Sequence, residues 1–455
     1  MPYQTNTLSL ADNWMPNTSP AFQKLRDKIP KATLSSAMFF CVILFILFKR
    51  SFRDIADVAL ILLVIGTIVH CYKNPLVVKS DPYPRLFLIS LTVPIFSWIH
   101  SLILPYDEPT QKFPGHFDLY YLFIFWFLAY WIKGDEQRIK IALYTFCFAI
   151  LLMFWLATDH PFSEITLGVQ GQRVSFGQRN AQHASLFSCF SLITSAFLLA
   201  HELWSRSKPR LFPMAICAFL TILFSLFVII TQSRQVWLAL ILIVTVAPLL
   251  YALSNPGATR RKAVAISYVF IFSLLSGIST LDIIESRIGK EWSVISNVTQ
   301  LQLEDVPETS VGLRLIFAAE GFKWFQMRPV FGYGPGLDAE VIQSSEHLSK
   351  KARNEFTHLH NSHISTLISY GLAGSTLVYF VMLYPFFSMV RKRKEGDGLW
   401  MIFAGSTMIA WMAINFFESF FFMWDGVYVY TVMMAIQYSF FFKNNSQTSE
   451  KTSIE

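Results

Sequence analysis

Apolar runs long enough to cross a bilayer as helices recur along the whole chain, near 32–48, 55–72, 84–104, 118–132, 139–157, 183–203, 211–231, 235–253, 262–281, 363–390, 398–420 and 424–442. Backbone amides cannot go unpaired in lipid, and these runs lack the alternation of barrel strands. The expected fold class is therefore all-α, a polytopic membrane protein with about twelve transmembrane helices. Composition agrees: 53% of residues are hydrophobic and only 15% charged, too little charge to cover a soluble core of this size. The formal charge of +7 would suggest nucleic acid in a soluble chain. Here the basic residues sit between apolar runs, which speaks for membrane topology and against a nucleic-acid partner. Cys41, Cys71, Cys147, Cys189 and Cys217 fall inside or at the ends of apolar runs without metal-ligand spacing. The first thirty residues are polar, with no apparent cleavable signal, so the first run reads as a signal anchor.

Lysine and arginine counts in the flanks orient the chain. Both ends and the even-numbered connections carry 20 such residues, from Lys24 to Lys31, around Lys79, Arg138, Lys208 and Arg261, and from Arg391 to Lys394. The short opposite connections carry 7: Lys49, Arg50, Arg53, Lys112, Arg173, Arg179 and Arg234. The bias places both termini in the cytoplasm and a long polar insert, 282–357, on the other side. The expected organisation is a polar N-terminus (1–30), a transmembrane catalytic domain (31–442) containing that insert, and a cytoplasmic tail (443–455). Lys49 to Arg53, in the first hairpin, run against the charge rule.

Chemistry-bearing residues concentrate on the insert side. The insert carries Arg287, Arg314 and Arg328, a predicted helix over 312–325 stopped by Pro329, and the turn Phe331-Gly332-Tyr333-Gly334-Pro335-Gly336. It exits through Thr357-His358-Leu359-His360-Asn361-Ser362-His363. Asn361 or Ser362 can cap the following helix, and Gly371 and Gly374 permit close helix packing. Two further outward stretches are Gln172 to His183, with Arg173, Gln178, Arg179 and Asn180, and the tight reversal Thr231-Gln232-Ser233-Arg234-Gln235. Arginine at membrane depth needs an anion or water. Arg234 is thus either an anion ligand or a snorkelling anchor at a helix end. Taken together, Arg173, Arg179, Arg234, Arg287, Arg314 and Arg328 form an outward set whose guanidinium forks suit a pyrophosphate. A histidine can accept a proton from a hydroxyl nucleophile near neutral pH. His358 and His360 are two apart, so a shared metal would need further ligands. No DxD or HExxH motif is present, and neither a metal nor a cofactor is expected. Glu418 is the suggestive carboxylate near the end of the eleventh run.

Three ordered pieces resemble the O-antigen ligase and O-antigen polymerase superfamily of bacterial membrane glycosyltransferases. They are Ser233-Arg234 opening a span; Gly312-x-Arg314 followed by Trp324, Pro329 and Phe331-Gly332-Tyr333-Gly334; and His358-Leu359-His360-Asn361 followed by Gly371-Leu372-Ala373-Gly374. The resemblance implies a helical fold like that of the metal-independent C-type glycosyltransferases, with a long periplasmic loop. It implies a glycan donor on undecaprenyl pyrophosphate, used on the periplasmic side of the inner membrane. It puts Arg234 and Arg314 at the pyrophosphate, His360 as base and His358 beside it. Asn361, Gln178, Asn180 and Tyr333 become supporting residues, although relatives often show a Pro-Asn pair where Arg179-Asn180 stands here. Ligase action on a lipid A-core sugar is the expectation; a polymerase or a protein O-oligosaccharyltransferase is the alternative within the superfamily, and a secondary transporter the rival outside it. Sugar identity and oligomeric state are not legible.

Overall fold

The computed structural model describes residues 31–103, 119–204, 210–254, 268, 306–392 and 398–443. The regular structure among those residues is helical, with no strand. The helices are α1 Lys31–Phe48, α2 Arg53–Lys73, α3 Pro75–Ser80, α4 Tyr83–Ile103, α5 Ile124–Ile132, α6 Glu136–Ala157, α7 Pro161–Val169, α8 Ala181–Trp204, α9 Leu211–Ile230 and α10 Arg234–Ser254. The insert contributes α11 Ser310–Met327, α12 Asp338–Gln343 and α13 Lys350–Glu355, and α14 Ser362–Lys392, α15 Gly398–Ile414 and α16 Trp424–Ser439 follow. Six of them (α2, α6, α8, α9, α10 and α14) are long and apolar enough to cross a membrane by length and composition. The expected span at 262–281, apart from residue 268, and Arg287 lie outside the described residues.

Burial explains the arrangement. Every residue of α16 from Asp425 to Ser439 is buried, so this helix is the axis of the bundle, packed by α5 and α14. By contrast, α2 keeps Val58, Ile61, Ile65 and Ile68 exposed, an apolar face suited to hydrocarbon rather than water. Two sets of connections gather at opposite faces. At one, Gly134 lies against Ser439 and Lys443, His201 reaches Glu136, and Lys392 lies over Phe441. At the other, the α1–α2 turn, the α7–α8 loop, the α9–α10 turn, the α15–α16 loop and the insert converge. There Arg50 pairs with Asp425, while Lys49 and Arg53 pair with Asp57. The cations that offend the charge rule are thus matched by carboxylates on the spot.

Two sequence expectations need correction. The run 398–420 is not helical throughout: α15 ends at Ile414, and 415–423 form an irregular loop before α16. The run 363–390 is interrupted as well. Gly371, at φ 59° and ψ −164°, breaks α14 in a conformation that side chains resist. Backbone amides of Tyr333 and Gly334 donate to the carbonyls of Ile368 and Ser369, and those of Leu372 and Ala373 donate to Pro329 and Val330. The insert therefore satisfies the groups that the break leaves open. The approach is close: a Cβ on Gly332 would meet the Ile368 carbonyl at 2.4 Å, and one on Gly371 the Val330 carbonyl at 2.3 Å. Gly371 serves this docking rather than helix–helix packing.

Candidate functional site

The histidine turn is held from three sides. Asn361 Oδ1 accepts the amides of His363 and Ile364, each at 3.1 Å, and so caps α14. Ser362 does not cap; its hydroxyl donates to Asn415 Oδ1 (2.5 Å), and its amide donates to the Asn415 carbonyl (2.9 Å). Asn415 Oδ1 also accepts the Phe421 amide, which closes the 415–423 loop against the start of α14. From the insert, Asp338 accepts the Leu359 amide (3.4 Å) and the Ser365 hydroxyl (2.7 Å). Burial pushes the Asp338 carboxyl up, and these hydrogen bonds work against that. His360 itself has φ 49°, a left-handed backbone that costs a non-glycine residue about 1–2 kcal/mol. Strain of this kind persists where the surroundings over-determine it.

The turn delivers both rings to one carboxylate. His360 Nδ1 lies 2.9 Å and His358 Nε2 3.1 Å from Glu418 Oε1. The ring centroids are 4.0 Å apart, and His360 lies nearly parallel to Phe317. Glu418 is 1% exposed, while the His358 and His360 side chains keep 21% and 15%, so the rings face the outside and the acid stands behind them. Burial would raise the Glu418 carboxyl, but hydrogen bonds from the two histidines hold it well below the usual carboxylate range. Burial pushes the His360 imidazole down, and contact with Glu418 only partly offsets it. The combination is an ionised acid beside a largely neutral imidazole whose Nδ1–H it accepts, leaving Nε2 as the basic nitrogen.

The arginine side connects through one amide. With its nitrogen toward the acid, Gln182 donates to Glu418 Oε2, and its oxygen accepts from Arg314 at 2.5 Å. Arg314 also donates to the Phe417 carbonyl (3.1 Å) and to Ser310. The α7–α8 loop and the α9–α10 turn are likewise joined. Arg173 donates to the Thr231 carbonyl (3.3 Å), Val174 to that of Ile230, and Gln232 Nε2 to that of Gly171 (2.8 Å). Gln232 shares the left-handed backbone of His360, at φ 48°, and immediately precedes Ser233 and Arg234 at the head of α10.

The structure treats the expected residues unequally. His358, His360 and Arg314 come together. Arg234 and Arg173 sit at the joined loops, and Arg179 stands exposed nearby in sequence. Arg328 is buried and stacks on Tyr333 at 4.3 Å, with Trp324 on the same ring, so Arg328 and Tyr333 brace the insert. Gln178 donates to the Phe176 carbonyl, and Asn180 caps α8 through the Gln182 and His183 amides. Sequence reasoning missed Gln182 and assigned no site role to Glu418. The signal for the latter was present: a lone acid amid Asn415-Phe416-Phe417-Glu418-Ser419-Phe420-Phe421 is costly unless it has partners.

Fold and site thus define a helical, multi-pass membrane protein with an acid–histidine pair and an arginine beside it. Residues 218–379 match the family described as O-antigen ligase, which supports the superfamily resemblance and a function of the ligase or polymerase type. The matched stretch contains Arg234, Arg314, Arg328, the glycine turn, His358 and His360, and leaves Gln182 and Glu418 outside it. No curated protein matches the chain.

Proposed function

We propose that the protein is an O-antigen ligase, transferring a glycan from undecaprenyl pyrophosphate to a lipid A-core sugar at the periplasmic face of the inner membrane. The observation that carries this reading is the continuous set His360–Glu418–Gln182–Arg314, which joins a histidine suited to act as a base to a guanidinium suited to phosphate. The pyrophosphate already activates the donor, so the reaction needs a better nucleophile and a stabilised leaving group. Glu418 holds the His360 Nδ1–H and aims the ring. His360 Nε2 takes the proton of the acceptor hydroxyl as that oxygen attacks the anomeric carbon. The bond from that carbon to the pyrophosphate oxygen breaks, with inversion, and Arg314 and Arg234 receive the departing charge. Both termini are cytoplasmic in this reading. Its test is single-turnover transfer by the purified chain, with lipid-linked glycan and a lipid A-core acceptor. His360→Ala should bind donor and fail to transfer. Loss in His358→Ala with retention in His360→Ala would move the base to His358, and loss in neither would reject a histidine mechanism.

A further inference from the structure

The histidine pair lacks further metal ligands in the local sequence, and the fold supplies one from 58 residues away. We infer that His358 Nε2, His360 Nδ1 and the Glu418 carboxylate form a binding site for a zinc-class divalent ion, whose capture switches the enzyme off. The switching half rests on the function proposed above; the binding half does not.

The three ligand atoms lie within 4.8 Å of one another, and the two nitrogens stand 2.9 and 3.1 Å from the same carboxylate oxygen. A tetrahedral zinc ion with bonds of about 2.0–2.1 Å sets its ligands about 3.3 Å apart, so each nitrogen–oxygen distance needs to open by only a few tenths of an ångström, while the two nitrogens, within 4.8 Å of each other, turn toward the same spacing. Two imidazoles and one carboxylate select a borderline d-block ion over magnesium or calcium, which prefer all-oxygen shells. Gln182 on Glu418 Oε2 is the outer-shell contact that such a carboxylate needs to keep its orientation. The partly exposed side of the rings leaves a fourth position for water. An ion there occupies His360 Nδ1 and draws the Glu418 charge away from the ring. The imidazole is then a weaker base and is turned from its working position.

The test uses the full chain in detergent, stripped with a chelator and titrated with Zn²⁺ by equilibrium dialysis. One ion per chain is expected, with affinity falling on the order of a hundredfold in His358→Ala and in Glu418→Gln. His347→Ala should leave it unchanged, because that ring lies 3.7 Å from Glu320, outside the cluster. X-ray absorption on the zinc-loaded wild type gives a reading independent of variant folding. A nitrogen and oxygen shell with imidazole scattering supports the site, whereas a sulfur shell assigns the ion to a cysteine and overturns it. Unchanged affinity in both cluster variants overturns it as well. In the transfer assay, saturating zinc should abolish turnover and a chelator restore it; bound zinc with undiminished transfer rejects the switch. A chain with no transfer under any condition defeats the proposed function, while dialysis and absorption still decide the site.

Discussion

Asp81 and Glu418 are both 1% exposed, near opposite faces of the bundle, and their surroundings drive them in opposite directions. Asp81 accepts from Trp126 Nε1 (2.7 Å), the Tyr438 hydroxyl (2.7 Å) and the Tyr83 amide (2.9 Å). Burial pushes its carboxyl up, and these three neutral donors recover only part of the difference. Glu418 meets the same cost of burial, yet its histidine donors hold it well below the usual carboxylate range. Neutral donors satisfy a buried acid; titratable donors tie its charge to a proton that can move. The first environment builds structure, and the second can do acid–base chemistry.

The largest test of that contrast is at the histidine end. His360→Ala should lower single-turnover transfer on the order of 10²–10⁴-fold, the range for loss of a general base, with donor binding kept. Glu418→Gln should come close behind it. The amide keeps the volume but loses the charge that steadies the Nδ1–H, as in other base–acid pairs. A Glu418→Gln variant with wild-type transfer would reduce Glu418 to a second Asp81.

How much of this was legible beforehand depends on the range of the interactions. The length of the apolar runs pointed to an all-helical chain, because hydration acts residue by residue. The cap at Asn361 and the positive φ of Gly332, Gly334 and Gly336 were readable from local backbone rules. The break at Gly371 was not, because its cause is an insert that docks 38 residues earlier in the chain, at Tyr333. The joining of Gln182, Arg314, His360 and Glu418 was hidden for the same reason. Four separate elements supply them, and no spacing in one dimension records that meeting. The stacking of Arg328 on Tyr333 was hidden too, because composition marks a cation without showing what it packs against.

A smaller effect is expected at the arginine. Arg314→Ala should reduce transfer on the order of tenfold, with part of the loss in donor affinity. The pH profile separates its two roles. In the mechanism proposed above, transfer requires neutral His360, so the rate should fall as pH drops through the pKa of that ring. Burial lowers this pKa first, Glu418 raises it, and His358 and Arg314 lower it further. The acid limb of the wild type should therefore lie below the ordinary histidine value of about 6.5. Removing the Arg314 charge should move the limb to higher pH, and Glu418→Gln should move it lower. Limbs that shift together, or not at all, would mean that these groups do not face the titrating base.

The smallest effect belongs to Asp81. Asp81→Asn keeps one oxygen to accept from Tyr83 and Tyr438, turns its amide nitrogen toward the Nε1–H of Trp126, a partly buried ring that can donate to water instead, and forgoes a carboxylate charge that burial already disfavours. Its thermal unfolding in detergent should stay within about 1 kcal/mol of wild type. Asp81→Ala should cost more, about 1–3 kcal/mol for the stranded Tyr438 hydroxyl, with less from Trp126, whose ring is only partly buried. In both variants, transfer per folded molecule should equal that of the wild type, since Asp81 touches neither histidine. A loss of transfer in Asp81→Asn without a loss of stability would break the comparison. It would mean that the titration of this acid, too, takes part in the working of the enzyme, and that Asp81 couples across the bundle through α16, which carries Tyr438 at one end and Asp425 at the other.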